Sequence, residues 1–107
     1  MLYKLYKRRK MKLHIITPQH VVFDGDVDSV VVPGKDGEFE MLNNHAPIVS
    51  SLGKGFIRIK THTKSFDHFK NISGKLEQSP ANELIYLFEV DGGVVETSNN
   101  VVTILAS

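Results

Sequence analysis

The sequence predicts an all-β domain, a β-sandwich or flattened barrel of about ten antiparallel strands. Short runs rich in β-branched residues recur along its 107 residues, and Gly, Pro, Asn and Asp punctuate them. No stretch carries the apolar repeat of a long amphipathic helix. Short strands joined by tight turns pair antiparallel. Eight to ten of them bury their apolar faces by packing sheet on sheet or closing into a barrel. At this length the chain holds one hydrophobic core.

In order, Met11–Thr17 sets Leu13 and Ile15 against Lys12 and His14, and Pro18 ends the run. His20–Phe23 reads as a second strand closed by an Asp24-Gly25 turn, and Val27–Val32 as a third closed by Pro33-Gly34. Glu38–Leu42 follows the Asp36-Gly37 turn and is broken by Asn43-Asn44. Ile48–Leu52 and Phe56–Lys60 flank Gly53 and Gly55, and in the latter Ile57 and Ile59 alternate with Arg58 and Lys60 as in a strand with one wet face. Leu84–Val90, Val94–Thr97 and Val101–Leu105 complete the series, with Asp91-Gly92-Gly93 and Asn99-Asn100 as hairpin turns. Residues 61–83 are read as an insert. Phe66, Phe69 and Ile72 fall at helical spacing between a Ser65 cap and a Gly74 stop, and a strand with a long loop fits equally well.

Composition narrows the function. The net charge is +1, but five of the 13 basic residues are Lys4, Lys7, Arg8, Arg9 and Lys10. The remaining eight face 12 acidic residues, so the body of the chain stands at −4. A nucleic-acid binder needs its positive charge on the folded surface, so no nucleic-acid partner is expected. Residues 1–10 are read as a disordered or non-native basic tail ahead of a single domain at 11–107. The absence of cysteine excludes disulfides and thiolate metal sites. No apolar run reaches the roughly 20 residues of a membrane helix, and none follows the basic start as in a secretory signal.

No catalytic, cofactor or metal constellation emerges. Asp24-Gly25-Asp26-Val27-Asp28 opens like a calcium loop, but Ser29 and Lys35 stand where Gly and Glu are required, and a hairpin turn with solvated carboxylates is expected instead. The closest pairs among His14, His20, His45, His62 and His68 are six apart, unlike zinc ligands on one helix face. There is no Gly-x-Ser-x-Gly elbow, and Gly53-Lys54-Gly55 lacks the spacing of a phosphate loop.

The remaining features are geometric. An acidic turn, Val32-Pro33-Gly34-Lys35-Asp36-Gly37-Glu38-Phe39-Glu40, is followed by a polar corner, Asn43-Asn44-His45-Ala46-Pro47. Loops on a rigid sheet are where interaction surfaces concentrate. Leu84–Phe88 is apolar at five consecutive positions and Val30–Val32 at three, so alternate members should point outward and need covering, by the insert or by a partner. The partner is the favoured expectation.

These segments resemble the epsilon subunit of the F-type ATP synthase. The resemblance lies in Thr17-Pro18, Val22-Phe23-Asp24-Gly25, Val27 to Gly34, Gly37-Glu38-Phe39 and His45-Ala46-Pro47, and then in Gly92 to Glu96 and Asn100 to Ala106. It covers residues 11–60 and 84–107 and implies a ten-stranded sandwich at the foot of the central stalk. The implied role is a non-catalytic rotor part between the gamma subunit and the polar loops of the membrane c-ring. Association with the cytoplasmic face of the inner or plasma membrane would then be peripheral, through the complex. Glu38 matches the family's acidic turn position facing the ring, which puts Asp36 and Glu40 on the same side, and His45, before Ala46 and Pro47, matches the position near gamma. Asn43-Asn44 and Glu40 depart from the Pro-Gly and Gly of many members. The sequence stops where the family continues into a helical hairpin that carries inhibition and, in some members, ATP binding, so neither property is expected. Two other readings stay open on composition: a free sandwich binding an unrelated protein, and a ligand- or metal-binding barrel.

Overall fold

The strand pattern read from the alternation is the architecture found. A computed structural model describes residues 11–61, 69–72, 76–82 and 84–107 of the chain. The basic segment 1–10, and Ser65, Phe66 and Gly74 of the expected insert, lie outside the described residues.

Every regular element among the described residues is a strand: β1 (Met11–Ile16), β2 (Val21–Val27), β3 (Ser29–Gly34), β4 (Gly37–Leu42), β5 (Ile48–Leu52), β6 (Gly55–Lys60), β7 (Phe69–Ile72), β8 (Glu77–Gln78), β9 (Ile85–Val90), β10 (Gly93–Ser98) and β11 (Val101–Ala106). Of the two readings of the insert, the strand holds at Phe69–Ile72, which pairs with β2.

One sheet runs β7-β2-β1-β11-β10-β5. A second is formed by β4-β3-β6-β9-β8, and the two join at one corner through the pair Gly34–Leu52. All ladders are antiparallel except β1 with β11, where Leu13 lies beside Val102 and Ile15 beside Ile104. A parallel pair needs a long crossover, and here the whole sandwich is that crossover, so the first and last described strands lie side by side at the centre of one sheet.

The core lies where the inner faces meet. Leu13, Ile15, Phe23, Val95, Val102 and Ile104 come from the first sheet, and Val30, Val32, Met41, Ile57, Ile59 and Phe88 from the second. Each such side chain contributes roughly 1.5–3 kcal/mol by leaving water. Gly93 has φ +143°, and a Cβ there would collide with the Leu105 carbonyl oxygen of the neighbouring strand.

Two expectations need correction. Asp24-Gly25 is not a turn, because β2 runs straight through it. Gly25 lies where the β2–β7 register shifts, a frequent use of strand glycine. Asp24 and Asp26 point to the face where β1 presents His14 and Lys12. Asp24 Oδ1 lies 3.2 Å from His14 Nδ1 and Asp26 3.5 Å from the Lys12 ammonium, so cross-strand partners stand where a turn would leave the carboxylates solvated. The chain changes direction instead at Asp28, whose N–H donates to the Lys60 carbonyl at 2.8 Å.

The second correction is Pro33-Gly34, expected to close the third strand, because β3 runs on through both residues. The outward apolar rows, expected to be covered by the insert or by a partner, have part of the insert beside them, since β8 lies within residues 61–83. Val30, Val32, Tyr86 and Phe88 are buried as alternation requires, but their outward neighbours Val31, Leu84, Ile85 and Leu87 are already half-buried within the domain. Arg58 stands between Val31 and Leu87 in register, and β8 pairs along β9 at Leu87 and Tyr86. Among the described residues, the large apolar side chains that are exposed lie elsewhere: Val49 at 70%, Leu105 at 54%, Leu42 at 53%, Phe56 at 47%, Val21 at 41% and Val94 at 40%.

Candidate interaction surfaces

The acidic turn is built by backbone. Lys35 and Asp36 are the two central residues of a hairpin closed by the pair Gly34–Gly37. Gly37 takes φ +130°, and Gly34 is pressed from the other side: a Cβ there would stand 2.6 Å from the Gly37 carbonyl oxygen and 2.9 Å from the Phe39 ring. The Lys35 N–H donates to the Ser51 carbonyl at 3.1 Å and the Gly53 N–H to the Pro33 carbonyl at 2.8 Å, which fastens the hairpin to β5.

Of the three carboxylates on this side, Asp36 lies at the tip, while Glu38 and Glu40 follow on the outward face of β4 opposite Pro33 and Val31. All three are exposed. Glu38 is engaged, receiving both terminal nitrogens of Arg58 at 2.9 and 3.0 Å in a bidentate pair reaching across β3. Such a fork fixes the carboxylate plane. Asp36 and Glu40 form no ion pair with any described residue.

The polar corner lies at the far end of β4, about 14 Å from Glu38 to Leu42 by strand rise. Asn44 takes φ 65°, the left-handed conformation Asn tolerates better than most residues. His45 is half-buried, and its N–H donates to the Leu42 carbonyl at 3.0 Å. Its Nδ1 is 2.7 Å from the Ala46 carbonyl oxygen. A carbonyl only accepts, so Nδ1 carries the hydrogen in this bond. Ala46 and Pro47 are exposed. Beyond them Pro47, Ile48 and Val49 line a shallow groove with Glu96, Thr97 and Ser98, an apolar floor with a polar rim.

The two sets of residues singled out from sequence thus occupy opposite ends of one strand, and the structure does not bring them together. Sequence reasoning missed a third feature. Val94, Leu105, Ile16 and Val21 stand side by side across β10, β11, β1 and β2 on the outward face of the first sheet. Each alternates with core residues, but the row exists only through the β1–β11 register, which no local pattern announces. Among the described residues no group of three or more His, Asp or Glu side chains is placed to hold a metal, and no helix is long and apolar enough to cross a membrane.

Fold and surfaces together define a β-sandwich whose distinctive residues sit on turns and strand ends, the class of domain that presents loops to partners. The family model of the ATP synthase delta/epsilon chain β-sandwich domain matches residues 10–82. The chain belongs to this family. It is 38% identical over 96 residues to the ATP synthase epsilon chain of Leptospira borgpetersenii, covering 90% of this chain and 60% of that protein. With the epsilon chain of Chlorobium limicola it shares 41% over 81 residues, which is 76% of this chain and 91% of the relative. The chain therefore spans about three fifths of the Leptospira relative and nearly all of the Chlorobium one. Among solved structures, a chain of the Tetrahymena thermophila mitochondrial ATP synthase central stalk and c-ring superposes with a TM-score of 0.64 at 21% identity, covering 94% of this chain and 65% of that one. A chain of the Euglena gracilis mitochondrial ATP synthase (OSCP/F1/c-ring) gives 0.68 at 14%, covering 91% and 50%. At these identities the superpositions show the fold.

Proposed function

We propose that this chain is a non-catalytic rotor-stalk part of an F-type ATP synthase, holding the gamma subunit at one end of its sandwich and the c-ring loops at the other. The observation that carries the reading is the separation of two differently built surfaces on one rigid sheet, in a chain of the epsilon family. A part that transmits torque must hold two partners at once without yielding between them. Two surfaces at opposite ends of a strand sharing a close-packed core meet that need.

The acidic end, with Asp36, Glu38 and Glu40, faces basic side chains of the ring loops. Each exposed pair is worth at most about 1 kcal/mol, so this contact sets register and orientation more than affinity. The corner His45–Ala46–Pro47, with the apolar groove beside it, faces gamma. The chain is then peripheral to the membrane, at the cytoplasmic face of the inner or plasma membrane.

Co-purification tests the reading. The chain is expected to come out in a stoichiometric complex with gamma and the rotor ring, and a free monomer in the presence of both would contradict it. In reconstituted enzyme, Glu38→Lys is expected to lower proton pumping per ATP while the domain stays folded. Unchanged pumping would remove Glu38 from the ring contact.

A further inference from the structure

We propose that Asn100 is the positioning residue for the His45–Ala46–Pro47 corner, setting from a different turn the geometry in which that corner meets its partner. The inference rests on the reading of the corner as the surface facing gamma. Residues 43–47 lie between β4 and β5 with no ladder of their own. Among the described residues, their hydrogen-bonded tie to a distant part of the chain is the Asn100 side-chain amide. Its Oδ1 accepts the Asn44 N–H at 2.7 Å, and its Nδ2 donates to the Asn43 side-chain oxygen.

A primary amide suits this task because it presents one acceptor and one donor in a single plane. Asn100 is itself anchored, since its carbonyl accepts the Lys12 N–H at 3.0 Å as β1 begins, and its turn closes β10 onto β11. With φ 52° at Asn99 and 63° at Asn100, this is the left-handed two-residue turn whose twist matches the strands. The position of the first sheet is thereby passed through one side chain to the corner. Loss of that side chain leaves the Asn44 N–H to water and the corner held by its local bonds, the His45 N–H to Leu42 and the His45 ring to the Ala46 carbonyl.

Because Asn100 has positive φ, Asn100→Gly removes the side chain without straining the backbone, whereas an alanine there would confuse the two effects. Asn100→Asp keeps the acceptor for Asn44 and loses the donor to Asn43. The full-length chain carrying each variant is examined by hydrogen exchange at the Asn44 amide and by binding to the isolated gamma subunit, below the melting temperature. Asn100→Gly is expected to speed Asn44 exchange about tenfold or more and to weaken gamma binding about tenfold, with Asn100→Asp in between.

A double-mutant cycle separates positioning from general destabilisation: in a His45→Ala background, Asn100→Gly should cost no further affinity. Equal losses in both backgrounds, or unchanged Asn44 exchange, would overturn the role of Asn100 while leaving the stalk reading intact. Failure of the unaltered chain to bind gamma would overturn both.

Discussion

The β3–β4 turn and the β4–β5 corner are the two ends of one strand, yet they are held in opposite ways. The turn is shaped by main chain: two glycines, a two-residue hairpin and backbone bonds to β5. Its side chains are left to project, apart from the Glu38–Arg58 pair. The corner is shaped by side chains, with the Asn100 amide bound to Asn43 and Asn44, and the His45 ring bound to the Ala46 carbonyl. A backbone-built turn keeps its shape while its charges vary. A side-chain-built corner ties its shape to residue identity, so the two ends should respond differently to substitution.

The largest contrast is expected from glycine. Gly34→Ala forces a Cβ against the Gly37 carbonyl and the Phe39 ring and should destabilise the domain by about 1–3 kcal/mol, read as a lowered urea midpoint with unchanged slope. A neutral Gly34→Ala would show that the turn has slack and would weaken the contrast. Next is Asn44, where the left-handed backbone makes alanine cost about 1–2 kcal/mol and glycine much less. Thermal melts of Asn44→Ala and Asn44→Gly check this, and equal effects would mean that strain is not what selects Asn there.

At the turn, Glu38→Gln removes an exposed ion pair and should cost at most about 1 kcal/mol, a difference that shrinks as salt is raised. A larger, salt-independent loss would show that the turn depends on side chains after all.

The smallest effect belongs to neither end. Burial pushes the Tyr86 hydroxyl above its usual 10.0. As pH rises past that value the unfolded chain ionises first, so stability should fall there and not below it. Tyr86→Phe should flatten that decline in melting curves taken above pH 10, relative to the unaltered chain; an unchanged slope would mean that Tyr86 is not its source.

What was legible in the sequence follows the same division. Strands whose apolar residues alternate, such as Phe56–Lys60 and Val101–Leu105, were read nearly to the residue, because alternation is a local consequence of one buried face. The Asn99-Asn100 turn was legible for the same reason, since its chemistry lies within four residues, whereas the acidic turn, read at Pro33-Gly34 and Asp36-Gly37, centres on Lys35-Asp36. Asp24-Gly25 misled because a turn signal and a strand glycine at a register shift look alike locally, and the strand that decides between them, β1 with His14 and Lys12, is distant in pattern though paired in space. The sequence does not decide whether the insert or a partner lies against the outward apolar rows, because the neighbours found beside them, Arg58 in register and β8 from the insert, come from other strands. Arg58 with Glu38, and Asn100 with Asn43 and Asn44, join residues 20 to 57 apart, and no spacing rule reaches that far.

The central claim is that one rigid sheet offers two independent holds. Its most direct measurement is the affinity of the full chain for the isolated gamma subunit and for the isolated ring, taken separately for Glu38→Lys and His45→Ala. Glu38→Lys should weaken the ring contact about tenfold and leave gamma binding within about twofold, and His45→Ala should do the reverse. Loss of both contacts with either substitution, or of neither with both, would contradict the account.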